Sequence, residues 1–462
     1  MSNPQEIPKL SHSDDQNHNE DAIAGPSNME SPPKIFKLNI DCFDEIFEYL
    51  NVRDLHSFGL TCKRLNKVAG EYFKQNYSSA HIMCDNDGVY MCDWDKDDIK
   101  DRIFGFNKFI PCISYFYDDF SRFTYTKSHI NEFESVNKIY LAEIDIYNET
   151  VEHFKQLLPQ LEIIQHEYCS VDGDFYDLIL KYCKNLREIY VQNSDVGNRI
   201  NGKLNWLLQK YPKLERFELR PCFSRIEELS DFFINHPNLQ RFSTTTKLLW
   251  DNADILLNSN AKLDILELGG FYFHMPSSYE IQPLKILTDL INRLHEQGFY
   301  KRLYIHTNRL NEENSTSLAS LKGLELLYIL SSEKSYNLAQ LTNLRELMIL
   351  DGSKAKDMEI VANGLMKLER LYIEEANIDD IMPFIRRSPK LNKIKFKPKD
   401  RDVVLNVALL NSERTKLAGA RKITIYAQDD VFLATKWTTR NGDTNLSLIE
   451  MRRADSMEWD PF

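Results

Sequence analysis

Several signals that would assign a compartment are missing from this chain of 462 residues. Its eight cysteines form no Cys-x-x-Cys pair, which argues against a zinc site or a disulfide framework and favours reduced, mostly buried thiols. No window approaches the roughly 18 apolar residues of a membrane span. The first residues, from Met1 to Glu6, lack the basic and then apolar pattern of a secretory signal. We therefore expect a protein of the cytoplasm, the nucleus or both.

Motifs of catalysis are missing as well. The chain has no GxxxxGK[ST], GxGxxG or GxSxG segment, and neither His166-Glu167 nor His295-Glu296 continues into a zinc-protease HExxH motif. We infer that the protein is not an enzyme and needs no cofactor or metal. Its net charge of −12 also argues against bulk attraction to nucleic acid or to an anionic membrane.

What the chain does contain is a recurring six-residue unit. The segment Leu368 to Ile373 alternates apolar and polar residues at its end, which is typical of a half-buried strand. Near-copies recur at a spacing close to the roughly 20–29 residues of leucine-rich repeats. Strands of this kind are predicted to start at Val136, Leu161, Leu186, Leu214, Leu239, Leu263, Tyr300, Leu324, Leu344, Leu368, Leu391 and Ala420.

Helix-like segments lie between these strands, so the predicted fold class is α/β. We expect residues 136–426 to form a leucine-rich-repeat solenoid, a horseshoe with parallel strands inside and helices outside. A single repeat cannot bury its own apolar face, and stacking is therefore obligatory. Residues 77–135 are predicted to be an atypical N-terminal cap with early repeats, and residues 427–462 a C-terminal cap and tail.

The repeat register assigns the two faces of the predicted sheet. Positions one, four and six of each unit face the core, and positions three, five and seven face the groove. Tyrosines recur at position five, which indicates either a binding surface or only the preference of tyrosine for strands. A basic patch in the last repeats could receive an acidic or phosphorylated segment, or be a solvated face. The predicted substrate-binding residues are Tyr304, Tyr328, Arg370, Tyr372, Lys393, Lys395 and Lys397.

Two segments depart from the repeat. Residues 1–34 are acidic and polar with few apolar side chains, so we expect a disordered tail that is solubilising or carries phosphosites such as Ser11, Ser13 or Ser31. An insertion from about Gly270 to Glu280 is either a loop that helps to hold a ligand or a surface excursion.

Residues 35–76 have the period of helices instead. Apolar residues recur at i, i+3, i+4 and i+7 from Phe43 to Leu50, and a second helix is predicted to begin at Asp54 and to reach Ala69. So small a module cannot bury all of this apolar surface by itself. It must therefore dock on the rest of the chain, on a partner, or on both.

The same segment resembles an F-box. The resemblance rests on residues 38–50, on Asp54-Leu55, and on residues 61–65 with the sequence TCKRL. The family motif begins Leu-Pro, ends its first helix with Ile-Phe-x-Tyr-Leu, and continues with Asp-Leu and Val-Cys-Lys-x-Trp. Here Asn39 stands in place of the proline and Leu65 in place of the tryptophan. With the repeats, the whole chain resembles F-box/leucine-rich-repeat proteins, especially diverged, insect-like members.

The resemblance implies a substrate-recognition subunit of a Skp–cullin–F-box ubiquitin ligase. The F-box would bind a Skp-type adaptor and through it a cullin, and the groove would bind an unknown protein target for ubiquitination by proximity. The alternative is a non-degradative scaffold that uses the same groove. Neither function needs a nucleic acid or a membrane as a partner. On the matching positions, the adaptor-binding residues would be Leu38, Phe43, Ile46, Phe47, Leu50, Leu55, Cys62 and Leu65.

Overall fold

The computed structural model describes most of the chain, in the ranges 34–85, 88–92, 100–116, 122–171, 175–192, 204–220, 225–271, 284–310, 312–331, 335–351, 357–400 and 403–457. The predicted tail, apart from its last residue, and nearly all of the predicted insertion lie outside the described residues. Three helices come first, and an alternation of strands and short helices follows.

The α-helices have the following bounds: α1 (Ile40–Phe47), α2 (Val52–Gly59), α3 (Lys63–Asn76), α4 (Arg122–His129), α5 (Asn148–Glu152), α6 (Phe175–Tyr182), α7 (Leu229–Asn235), α8 (Thr246–Asp251), α9 (Ala253–Leu257), α10 (Leu284–Glu296), α11 (Glu312–Ala319), α12 (Met358–Gly364), α13 (Ile378–Arg387), α14 (Val407–Thr415) and α15 (Asp429–Thr438).

The strands have these bounds: β1 (His81–Asp85), β2 (Gly88–Cys92), β3 (Lys100–Arg102), β4 (Cys112–Phe116), β5 (Lys138–Ala142), β6 (Asp145–Ile146), β7 (Ile163–Glu167), β8 (Ser170–Val171), β9 (Glu188–Gln192), β10 (Arg216–Arg220), β11 (Arg241–Thr245), β12 (Leu263–Phe271), β13 (Tyr300–Arg309), β14 (Leu324–Ser331), β15 (Glu346–Asp351), β16 (Arg370–Ala376), β17 (Lys393–Pro398), β18 (Ile423–Ala427) and β19 (Ile449–Arg453).

Side-chain caps explain where the first two helices begin. The Asn39 side chain accepts a 2.9 Å hydrogen bond from the Cys42 amide and caps α1. Asn51 caps α2 in the same way through the Asp54 amide at 2.8 Å, so Asp54 lies in the first turn and is not the cap. The single second helix expected from the sequence is wrong, because the chain turns after Gly59 and starts α3 at Lys63.

One large sheet forms most of the remaining structure. Neighbouring strands pair in parallel in the order β1, β4, β5, β7 and then β9 through β19, while β2 and β3 extend the sheet antiparallel beside β1. Each predicted strand start lies no more than three residues before an observed strand. Further strands lie in the segments predicted to be caps, with β1 and β4 in residues 77–135 and β19 in residues 427–462.

The apolar positions of the repeat build the core. Leu368, Leu371 and Ile373 are completely buried, as predicted for positions one, four and six. Equivalent side chains join one hydrophobic cluster that extends from the first helices to β19. Between the strands, several predicted helices are only 3-10 turns, for example Leu158–Gln160 and Asn205–Leu208. Stacked repeats share their apolar faces, so short connections suffice.

The sheet curves until its first and last parallel strands approach each other. Just before β1, the backbone amide and the hydroxyl of Ser79 donate to the Asp455 carbonyl at 3.0 and 2.9 Å. The guanidinium of Arg453 in β19 likewise donates to the hydroxyl of Tyr77 at 2.8 Å. The two ends of the described sheet are therefore joined by hydrogen bonds.

No helix in the described ranges is both long and apolar enough to cross a bilayer. Seven cysteines lie in those ranges, and none of the seven forms a disulfide there. Across the same residues, His, Cys, Asp and Glu side chains do not gather in a group of three that could hold a metal ion.

Candidate functional site

Half of the predicted adaptor-binding side chains lie inside the helical module. Phe43 stacks on Phe47 with ring centroids 5.8 Å apart, and the edge of Phe47 packs on Tyr72 at 5.3 Å. Leu55 and Leu65 are buried in the same core. In this conformation these leucines and phenylalanines offer almost no surface to a partner. Their direct contact with an adaptor stays a prediction, and their visible role is to hold α1, α2 and α3 together.

The other predicted positions lie closer to the surface. Leu38, Leu50 and Cys62 are half-buried against the core, and Ile46 is 37% exposed. Sequence reasoning missed further exposed apolar side chains of the same module, which are Ile35, Ile40 and Leu60. The apolar spacing along the sequence does not distinguish these exposed side chains from the buried ones, because both kinds are apolar residues of the same helices and turns. Packing alone decides which members extend beyond the core.

The module is seated on the start of the sheet through polar contacts. Arg53 of α2 forms a 2.9 Å ion pair with Asp101 of β3. The turn at Gly105 bonds to two helices at once, since its amide donates to His56 Nε2 at 3.2 Å and its carbonyl accepts from Asn66 at 3.2 Å. These contacts join α2 and α3 to residues of the segment 77–135.

The module is also seated on the end of the chain, which the sequence did not indicate. Arg453 of β19 reaches the C-terminal end of α1, where its guanidinium donates to the carbonyls of Phe47 at 3.2 Å and Leu50 at 2.7 Å. Helix C-termini leave such carbonyls without intrahelical donors. Arg453 also donates to the Tyr77 hydroxyl at 2.8 Å and pairs with Asp429. Burial opposes its charge, but these neighbours raise the pKa of Arg453, so it stays protonated.

Helix α15 strengthens the same junction. Lys436 forms an ion pair with Glu48, and its ammonium lies 5.3 Å from the centroid of the Tyr49 ring. Trp437 packs edge-on against Tyr49 with centroids 5.1 Å apart. The helical module therefore contacts elements from both ends of the curved sheet.

One face of the sheet carries rows of side chains, one for each position of the six-residue unit that was predicted to face a groove. The row at position three is more basic than acidic, although the whole chain has 57 Lys and Arg against 69 Asp and Glu. A register shift between β13 and β14 interrupts the row. Its members are Lys138, Ile163, Glu188, Arg216, Arg241, Ile265, Arg302, Leu326, Glu346, Arg370, Lys393, Thr424 and Glu450.

A cavity of about 390 Å³ lies in the middle of this row, between β7 and β16. Aliphatic side chains and Tyr304 form its apolar wall, and Glu188 and Glu346 are its two acidic residues. We call it the arginine cavity because four arginines line it, namely Arg216, Arg241, Arg302 and Arg370.

A buried ionic layer supports the arginine cavity. Glu267 is inaccessible to solvent, yet Arg241 Nε donates to it at 2.8 Å and His306 Nε2 lies 2.8 Å away. Burial alone would raise its pKa, but Arg241 and His306 outweigh burial and hold the pKa of Glu267 well below its usual value. Glu218 is equally buried beside Arg220 at 3.2 Å, and burial raises its pKa. Glutamates at position five look solvated in the sequence, so this layer was not predicted.

The structure divides the predicted substrate-binding residues into two groups. Tyr304 and Arg370 line the arginine cavity. The others are half-buried on the same face of the sheet, outside the cavity: Tyr328, Tyr372, Lys393, Lys395 and Lys397.

Carboxylates accompany the basic members of that face. Arg370 lies 3.4 Å from Glu346, and Lys397 lies 3.6 Å from Glu374. Burial lowers the pKa of Lys395, whose ammonium is 5.7 Å from the Tyr372 ring centroid. The predicted basic patch, which contains Lys393, Lys395 and Lys397, therefore has less net positive charge than the sequence indicates.

Comparison with known families assigns the helical module. Residues 35–72 match the family model of the F-box domain, a range that covers α1, α2 and most of α3. No curated protein matches the chain significantly. The chain therefore carries an F-box domain, followed by an α/β region with a large parallel sheet. F-box domains generally bind Skp-type adaptors and, through them, cullins, which supports an adaptor-binding role in a ligase of this type.

Proposed function

We propose that the protein is the substrate-recognition subunit of a Skp–cullin–F-box ubiquitin ligase. The observation that carries the proposal is apolar surface on the F-box domain, which stays exposed although the domain packs on both ends of the sheet. Ile40, Ile46 and Leu60 are the most exposed apolar side chains of helices α1 and α2 and the turn after them. Fully burying such a side chain is worth about 1.5–3 kcal/mol, so a partner that covers them gains substantial affinity.

The departures from the family motif are compatible with this surface. Asn39 stands where proline is usual, and its side chain caps α1, so the helix start is stabilised by a different device. Leu65 stands where tryptophan is usual and is buried in the core of the domain. Both replacements therefore preserve the scaffold on which the exposed side chains are placed.

We further propose that the curved sheet is a leucine-rich-repeat solenoid whose concave face binds the target protein. The repeat period, the parallel order of the strands and the basic row at position three support this assignment. A curved sheet of this kind offers an extended surface at a fixed distance from the F-box domain. Such a receptor accelerates ubiquitin transfer by raising the effective concentration of target near the transferring enzyme.

The adaptor surface is tested by placing a charge on it. Ile40→Asp and Ile46→Asp should each weaken binding of a purified Skp-type adaptor to the full chain by at least about tenfold, because a carboxylate would have to be desolvated in the interface. Ile234→Asp, at a 71% exposed position in α7, is the matched control and should leave the affinity unchanged.

Binding is measured by calorimetry, with circular dichroism to establish that each variant is folded. Truncation of Phe47 would be uninformative, since this fully buried ring supports the domain itself. Wild-type affinity in both aspartate variants would refute the proposed adaptor surface.

A further inference from the structure

The arginine cavity is a built site, separate from the adaptor surface. Its four guanidinium groups come from strands β10, β11, β13 and β16 and converge on one space of about 390 Å³. That volume is within the range of sites for small ligands. Arg302 and Arg370 are 37% and 44% exposed, so solvent reaches the cavity from their side, whereas Arg216 and Arg241 lie deeper.

The deep arginines are held in place before any ligand arrives. The guanidinium of Arg216 lies 4.6 Å from the Tyr190 ring centroid. The guanidinium of Arg241 lies 5.4 Å from the Tyr304 ring centroid and is anchored by Glu267. Groups that are ordered in the free protein lose little entropy when they bind, which favours affinity.

The donors of the wall suit an anion. Four arginines and two glutamates, Glu188 and Glu346, line the cavity, and Asp264 pairs with Arg302 while Glu267 pairs with Arg241. Each guanidinium has five N–H donors, so the partly exposed Arg302 and Arg370 keep donors for a ligand beside their own carboxylate partners. The planar fork of a guanidinium matches the paired oxygens of carboxylate and phosphate groups. Two or more such forks in one cavity match a ligand with more than one anionic group.

We propose that the arginine cavity binds a compact polyanion, which carries two or more phosphate or carboxylate groups. The polyanion is either a free small molecule or an acidic segment of a bound target, and the second source rests on the proposed function as a substrate receptor. The site lies at the centre of the concave face, so an anion bound there would contribute to the surface that a target meets.

The test uses the purified full chain and calorimetry with two probes, pyrophosphate and an acetylated hexaglutamate peptide. The variant Arg302→Gln/Arg370→Gln should weaken binding by at least about tenfold, because it removes two charge-assisted contacts. Both residues are partly exposed, so the fold should tolerate the change. Glu346→Gln should tighten binding a few-fold. Arg345→Gln removes an arginine that is 53% exposed and outside the cavity, and it should bind like the wild type.

The outcomes separate the two sources of the anion. Pyrophosphate binding that the double variant loses supports a free polyanion, and peptide binding alone, lost in the same variant, supports a target segment. Absence of binding by both probes, or equal binding by the wild type and the double variant, overturns the proposal. Adaptor affinity is measured in parallel and should not change in the double variant. If the wild type bound a probe but no adaptor, the proposed function would fail while the cavity site would stand.

Discussion

Replacement of Arg453 by methionine is expected to weaken both the fold and the F-box domain. The guanidinium, whose side chain is 2% exposed, joins β19 to the end of α1 through the carbonyls of Phe47 and Leu50. Methionine keeps an apolar stem of similar length but removes every donor, together with the guanidinium that lies 4.8 Å from the Phe432 ring centroid. We expect the carbonyls of α1 to lose their partners and the last turn of that helix to fray.

The magnitude follows from the surroundings of the charge. Breaking a buried ion pair by removing one partner costs about 3–5 kcal/mol. Asp429, the partner of Arg453, keeps 26% side-chain exposure, so water offsets part of this cost. We therefore expect the free energy of unfolding to fall by about 3 kcal/mol, near the low end of that range.

Urea unfolding of the full chain, followed by tryptophan fluorescence, measures this loss. The matched control is Arg452→Met on the same strand, since Arg452 is 57% exposed and its pair with Glu450 is worth only about 0–1 kcal/mol. Amide hydrogen exchange at Glu48 to Leu50 should speed up in the Arg453 variant alone. Equal urea midpoints for the two variants would show that the junction contributes no special stability.

Three further predictions concern other parts of the chain. Lys395→Glu/Lys397→Glu should abolish capture of an acidic target peptide in a pull-down while adaptor binding persists, and unchanged capture would refute the patch. Burial lowers the pKa of His166 to about 3 in the folded protein, whereas a histidine in the unfolded chain has a pKa of about 6.5. Between these two values the unfolded chain binds a proton at His166 and the folded protein does not. Unfolding free energy should therefore fall by about 2 kcal/mol from pH 6.5 to pH 5 through this group, and His166→Gln should flatten the slope in urea titrations. Gly70→Ala would place a methyl group 2.1 Å from the Phe109 ring and should destabilise by about 1–3 kcal/mol; a raised urea midpoint would contradict this.

The strand positions could be predicted from the chain because the signal for a strand is local. Each strand needs only its own alternation of apolar and polar residues, so the strand at Leu368 to Ile373 could be placed without knowledge of its neighbours. The same holds for the F-box helices, whose apolar spacing and caps lie within a few residues. The break between α2 and α3 was missed because the apolar pattern continues across it.

The candidate sites were predicted less completely, because exposure is a property of packing. Phe47 and Ile46 are neighbours on one apolar stripe, yet the first is fully buried and the second lies at the surface. From the sequence alone, Glu267 would be taken for a solvated glutamate on a strand. In the structure it is buried beside Arg241 and His306. Sequence spacing could place these residues on a face but could not identify their partners.

Patterns within single strands and helices were enough to predict three features. These are the succession of strands along the chain, the apolar core positions and the F-box domain. Two features needed the folded chain. Strand pairing brings four arginines from β10, β11, β13 and β16 to one cavity, and the approach of the two ends of the sheet places Arg453 against the end of α1. The second depends on small rotations between neighbouring strands that accumulate over the whole sheet, and no short stretch of sequence encodes their sum.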